Sequence, residues 1–165
     1  MNKILYLCGV AFLSFYSYGQ QTEKSIQSYF STALSLNPIE GIWKVEITRE
    51  FYHYDTLYDV QHFADSQKVA ILNANDQFTA YLVNGESYDI EFSTTDVKGV
   101  YMYQNFYPLM SEYSKKQAVI CMRGKMEYTY DLPEKYVAKI CGEKSQHNTR
   151  VVNILSWNKI SPENK

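Results

Sequence analysis

Residues 36–47 read LNPIEGIWKVEI, and the fold turns on how that run divides. Asn37-Pro38 stops a helix, because proline disfavours the helical region for the residue before it. Gly41-Ile42-Trp43 then opens a segment in which Trp43, Val45 and Ile47 alternate with Lys44, Glu46 and Thr48, the period of a half-buried strand. Upstream the period is helical. Ile26, Tyr29, Phe30, Ala33 and Leu34 share one stripe, with Thr22 as candidate N-cap and Ser25 where a capping box would like Glu. An N-terminal amphipathic helix followed by the first and longest strand is the expectation. The helix would either cover one open end of a barrel or serve as a linker with a short docking turn.

Continuing the strand's parity brings Arg49, Phe51 and His53 to the inner face. Either the strand bulges there and Arg49 turns to solvent, the plainer reading, or a charged group reaches the rim of the interior. Residues 53–67 (HYDTLYDVQHFADSQ) are irregular and read as a long connection or an extra hairpin. Beyond them, 68–72, 78–83 and 88–93 are strands joined by Asn-rich turns, among them Asn84-Gly85, a strong hairpin signal. Further strands are expected at 99–107, 117–123, 125–132 and 149–160. Pro133, Glu134 and Gly142 bracket a short helix before the last of these. The fold class is therefore mainly β: an up-and-down antiparallel barrel of about eight strands, closed so that no sticky edge is left exposed.

The chain has 165 residues, room for one domain. Lys3 and the apolar run 4–15 have the form of a signal peptide too short to span a bilayer, with small residues favouring cleavage after Gly19. The bulky residues just before Cys8 argue against lipidation there. The expected organisation is a leader over 1–19, a helix and linker over 20–40, a barrel over 41–161 and a tail over 162–165. A periplasmic or extracellular location would follow. Losing the leader removes one lysine and no acid, which takes the net charge from −2 to about −3. Lysines interspersed with acids form no basic patch, so nucleic acid is excluded as a partner. Cys121 and Cys141 remain, either as one disulfide of an exported protein or as two buried free thiols.

Gly41-Ile42-Trp43, just after a helix and opening the first strand, resembles the Gly-x-Trp signature of lipocalin-like (calycin) barrels. The longer phrase NPIEGIWKVE, with LPEKY and Trp157, is similar to a group of exported bacterial lipocalin-like proteins. The resemblance implies that Trp43 packs at the closed end of the barrel with a basic residue of the last strand lying across it, for which Arg150 is the candidate. Thr95-Asp96-Val97 only half matches the family's Thr-Asp-Tyr motif, and the helix at Pro133 precedes the last strand instead of following the barrel. Ligand binding enters by analogy, since a fold does not fix a function.

No nucleophile elbow, phosphate loop or His-Glu-x-x-His is present, so no enzyme activity and no cofactor are expected. His53, Asp55, Asp59, His62 and Asp65 crowd one segment, but their spacing matches no metal-ligand pattern and reads as a polar surface loop. His147 falls in a polar turn. The tyrosines that recur along the strands from Tyr52 to Tyr136 say more. Inside, their rings can line a pocket and their hydroxyls orient a ligand; outside, they can make a sticky surface for a protein or glycan partner; or they are simply good strand residues with one wet end. The function expected is a non-enzymatic carrier of a small apolar or amphipathic molecule. Tyr88, Phe92, Met102, Met126, Tyr128 and Tyr130 would line it, with Arg49 as polar anchor at the mouth. The alternative is a filled barrel acting through residues 53–67 on a protein or envelope partner.

Overall fold

The computed structural model describes residues 22–74, 77–142 and 148–161, apart from the side chains of 64–66 and 74. The expected leader over 1–19, the tail over 162–165, His147 and the Asp65 side chain lie outside the described residues. The chain runs α1 (Glu23–Thr32), β1 (Gly41–His53), β2 (Thr56–Ala74), β3 (Gln77–Leu82), β4 (Ser87–Thr94), β5 (Val100–Tyr107), β6 (Glu112–Tyr113), β7 (Gln117–Met122), β8 (Lys125–Asp131), α2 (Glu134–Cys141) and β9 (Thr149–Ser161). Eight strands close an antiparallel ring in the order β1-β2-β3-β4-β5-β7-β8-β9, with β9 returning to β1 and β6 set against the end of β5. Each strand of the ring follows the one before it in sequence, β6 aside, so the barrel is up-and-down.

One end is shut by the turn before β1. The Trp43 indole N–H donates to the Ile39 carbonyl at 2.9 Å, and both side chains are fully buried. The Asn37 N–H donates to the Glu40 carboxylate at 2.7 Å, and the Glu40 N–H donates to the Asn37 carbonyl at 2.9 Å. Tyr101 from β5 donates its hydroxyl to Asn37 Oδ1. The Pro38 carbonyl accepts from Lys159 Nζ at 3.0 Å and from the Cys121 thiol at 3.6 Å. The Trp43 indole, the Glu40 carboxylate and the Ile39 and Pro38 carbonyls thus each have a partner in this plug.

The basic residue across Trp43 is Lys159, whose ammonium stands 5.7 Å from the ring centroid. The expectation of Arg150 is corrected: Trp43 lies near the start of β1, so antiparallel pairing sets it opposite Lys159 near the end of β9. Arg150, at the other end of β9, stacks over Tyr52 at 4.7 Å and pairs with Asp131 at 3.0 Å. Gly41 makes the crossing possible. Its φ is +152°, and a Cβ there would stand 2.3 Å from Lys159 Cε and 2.6 Å from the Ser161 carbonyl oxygen.

Above the plug the lower half of the barrel is solid. Trp157 is its hub, with ring centroids 5.8–6.3 Å from Trp43, Tyr88, Phe92 and Tyr128. Burial of this order, roughly 150–250 Å² per aromatic side chain, dominates the energetics of such a core. Between β7 and β8 the ladder is short, with only Cys121↔Met126 and Met122↔Lys125 in register. The Tyr103 hydroxyl crosses the gap to the Thr129 carbonyl at 2.8 Å.

α1 has Thr22 as N-cap, as expected, and Ser25 completes a capping box in place of the usual Glu. It covers neither open end: Ile26 packs with Ala70 and Leu72 on the outer wall, where Tyr29, Phe30, Ile42 and Tyr81 join them. The buried Glu40 also accepts from the Tyr29 hydroxyl, tying helix to plug. Residues 53–67 form neither loop nor separate hairpin. Tyr54 and Asp55, both at positive φ, make a tight turn, and β2 then pairs with β1 from Thr56 to Gln67 with register shifts between 57 and 59 and between 63 and 67. Two positive φ values in a two-residue loop match a type I′ hairpin, which non-Gly residues seldom adopt.

Replacing Gly41 by alanine is expected to destabilise the protein by roughly 1–3 kcal/mol, because φ and the Ser161 backbone both resist a side chain. Urea unfolding measures this, and Lys159→Ala in the same background should return little, since the backbone contact persists.

Candidate functional site

The upper half of the barrel is open. A cavity of about 300 Å³ lies there, with Ile47, Ile90 and Leu155 among its apolar walls and α2 contributing Tyr136 and Ile140 at the mouth. That volume is at the low end for small-molecule sites. A larger depression of about 870 Å³ lies on the outer wall where β7 leaves β8. It is a surface groove whose Ile120 and Met122 face solvent, and its charged and polar lining, Arg123, Lys125, Glu127, Ser156 and Asn158, is open to water.

The register explains what the inner cavity contains. β1 and β9 pair one-to-one from Trp43↔Lys159 to His53↔Thr149, and the irregularities opposite β1 fall in β2, which carries the extra residues. β1 therefore keeps its parity, and Arg49 faces inward instead of bulging into solvent. Its neighbours across the ladders are Asn153 on β9 and, beyond it, Tyr130 on β8. Arg49 Nε donates to Asn153 Oδ1 at 2.9 Å, and Asn153 Nδ2 donates to the Tyr130 hydroxyl at 3.0 Å. One step deeper Ile47, Leu155 and Tyr128 form an apolar layer. One step higher are Phe51, Val151 and Leu132, on which α2 packs through Val137.

This polar layer is charged yet half enclosed. Burial pulls the Arg49 pKa down from its usual value, with Tyr130 and Cys141 working against the shift. The guanidinium remains charged, since arginine starts so high. Among the described residues no carboxylate pairs with it. Phe63 lies under it at 5.0 Å, a cation–π contact that does not neutralise charge. Burial raises the Tyr130 phenol, and the Asn153 hydrogen bond and Arg49 charge pull it back. Burial also pushes Tyr88 up strongly and Tyr107 up to about 12. All of these phenols are neutral at physiological pH and can donate hydrogen bonds to a guest.

Arg49, Tyr88 and Tyr130 line the cavity. Phe92, Met126 and Tyr128 lie beneath it, in the packed core. Met102 is corrected: it points outward, because β5 buries Tyr101, Tyr103, Asn105 and Tyr107 on the opposite parity. Asn105 and Asn153, both buried, were missed. The three tyrosines sharing Asn105's parity were the available signal for the first. Pairing with β1, which the sequence does not display, was needed for the second. Cys121 belongs to the core cluster near the plug and Cys141 to the cluster at the mouth, and both are free thiols. The disulfide reading is thereby corrected. Among the described residues no three His, Cys, Asp or Glu side chains converge as metal ligands, and no helix is long and apolar enough to cross a membrane.

Comparison with protein-family models, with curated proteins and with solved structures found no match for this chain. The closed eight-strand antiparallel barrel is consistent with a lipocalin-like fold.

Asn153→Leu should cost about 1–3 kcal/mol by stripping Arg49 Nε of its acceptor, and adding Arg49→Met should recover part of that loss. A double-mutant cycle by urea denaturation reads the coupling. Alkylation of the denatured protein without reductant is expected to modify both Cys121 and Cys141, as mass spectrometry would show.

Proposed function

We propose that this protein is an exported lipocalin-like carrier that holds a small amphipathic anion in the upper half of its barrel. The observation that carries the reading is the layer Arg49–Asn153–Tyr130, set in a partly enclosed cavity above an apolar floor. A half-buried guanidinium without a carboxylate among the described residues favours an anionic guest, because a charge removed from water is stabilised by pairing and hydrogen bonding. Its Nε is already committed to Asn153, which fixes the guanidinium plane and leaves the outer N–H groups for a carboxylate. Ile47, Ile90 and Leu155 suit the apolar remainder of such a molecule, and the phenols of Tyr88 and Tyr130 supply orientation. Export is supported by the charged start and short apolar run of residues 1–19, with cleavage after Gly19.

The interaction-module reading has one observation in its favour. Leu57, Tyr58, Val60 and Phe63 on the first half of β2 are each at least 39% exposed, more apolar surface than one short arm usually shows.

Medium-chain alkyl carboxylates are expected to raise the melting temperature and the matching alcohols to do so less. Arg49→Met should weaken carboxylate binding about tenfold or more, the loss of one charge-assisted contact, in calorimetric titration. Equal responses to acid and alcohol, or no response to either, would remove the carrier reading. Capture of a partner that is lost with Leu57→Ser and Val60→Ser would then favour the interaction module.

A further inference from the structure

The wall facing Arg49 carries a second polar group that the protein leaves unsatisfied. Asn105 is 4% exposed, lines the same cavity, and neither its Oδ1 nor its Nδ2 has a hydrogen-bond partner. Buried amides are normally paired, and each exception calls for a reason. The nearest polar neighbour is Tyr107, whose phenol a side-chain hydrogen bond with Asn105 eases back slightly, in a geometry too poor to satisfy the amide. The backbone at this position is fully engaged. The Asn105 N–H donates to Ser114 Oγ at 2.9 Å, and its carbonyl accepts from the Ser114 N–H at 2.8 Å. The strand is thus pinned with Asn105 in the cavity wall.

In the ring of eight, β5 stands four strands from β1 in either direction, so Asn105 and Arg49 look at one another from opposite walls. We infer that Asn105 is a specificity-determining residue whose side-chain amide pairs with a donor–acceptor edge of the ligand, while Arg49 holds an anionic group at its other end. A carboxamide displays one acceptor and one donor side by side, and so does a lactam or the amide edge of a heterocycle. An asparagine amide meets such an edge with two parallel hydrogen bonds, as it does on adenine. A simple fatty acid or a hydrocarbon offers no such edge and would leave both Asn105 atoms unpaired on binding, which costs affinity. The guest class is therefore a small carboxylate carrying an amide-type group, with an apolar middle that Ile47, Ile90 and Tyr88 can cover. This rests on the carrier reading and narrows it.

The test uses two series of linear carboxylates of graded length, identical except that one ends in a primary amide and the other in an isopropyl group of the same shape. Calorimetric titration of the wild-type protein is expected to favour the best amide over its isopropyl counterpart by about tenfold or more. Asn105→Leu should abolish or reverse that preference, and Arg49→Met should weaken both series. Equal affinity for the two series, unchanged in Asn105→Leu but still dependent on Arg49, would overturn the role of Asn105 and leave the carrier standing. Failure of both series to bind the wild-type protein would remove the carrier and this inference with it. The unliganded variant gives an independent reading. A melting temperature of Asn105→Leu equal to or above that of the wild type is expected, since only unpaired groups are lost. A fall of several degrees, or failure to fold, would make Asn105 a structural residue and overturn the inference.

Discussion

The hydrogen bond from the Trp43 indole to the Ile39 carbonyl is the contact on which the rest of the barrel depends. It folds residues 37–40 back under the first strand and turns them into a floor. Tyr101, Cys121 and Lys159 arrive from three other strands and attach to the same few residues. An indole N–H and several backbone carbonyls buried together would be costly if any lacked a partner. Here each donor has one, and the partners come from around the whole ring. Gly41 has to be glycine in this arrangement because Lys159 and the Ser161 carbonyl occupy the space a side chain would take.

With the floor fixed, the filling of the barrel follows. Trp43 and Trp157 stack their bulk at the lower level, and Phe92, Tyr103 and Tyr128 close around them. An eight-strand barrel is only just wide enough for side chains to fill its interior. Aromatic rings consume the lower half, so any guest is confined above them. At that height the register supplies Arg49, Asn153, Tyr130 and, from the far wall, Asn105. Polar groups thus gather, among the described residues, above the level that Trp43 and Trp157 fill. α2 closes over its rim through Val137, Tyr136 and Ile140.

Much of this was legible in the residue pattern, and the places where it was not have physical causes. The strands after residue 74 and the short helix announced by Pro133 appear close to their expected bounds, because alternation and turn chemistry are local. The expected strand 68–72, by contrast, is the end of β2, which at 19 residues is longer than β1 at 13. Residues 53–67 misled because two positive-φ non-glycine residues, Tyr54 and Asp55, make the hairpin turn, and neither is a usual signal for one. Arg49 misled because a charge on an inward parity suggests a bulge, and here the bulges fall in β2. Arg150, the candidate by resemblance, stands at the wrong end of β9 because the motif asks for a basic residue on the last strand without saying which end meets Trp43. Antiparallel pairing decides that. Met102 was placed inside although the tyrosines around it share the other parity.

The sequence by itself determined the local periods, the helix stops, the strand count, and from them an antiparallel barrel opening at Gly41-Ile42-Trp43. These depend on neighbours within a few residues, where side-chain alternation and backbone preference act directly. Only the tertiary structure decided what lies inside. Arg49, Asn105, Tyr130 and Asn153 come from four strands spread over more than a hundred residues. Their meeting is set by inter-strand register, where a shift of one residue would turn every one of those side chains to the opposite face. The docking of α1 on the outer wall and the basic group over Trp43 belong to the same class. Each is a long-range contact, and no local pattern encodes its partner.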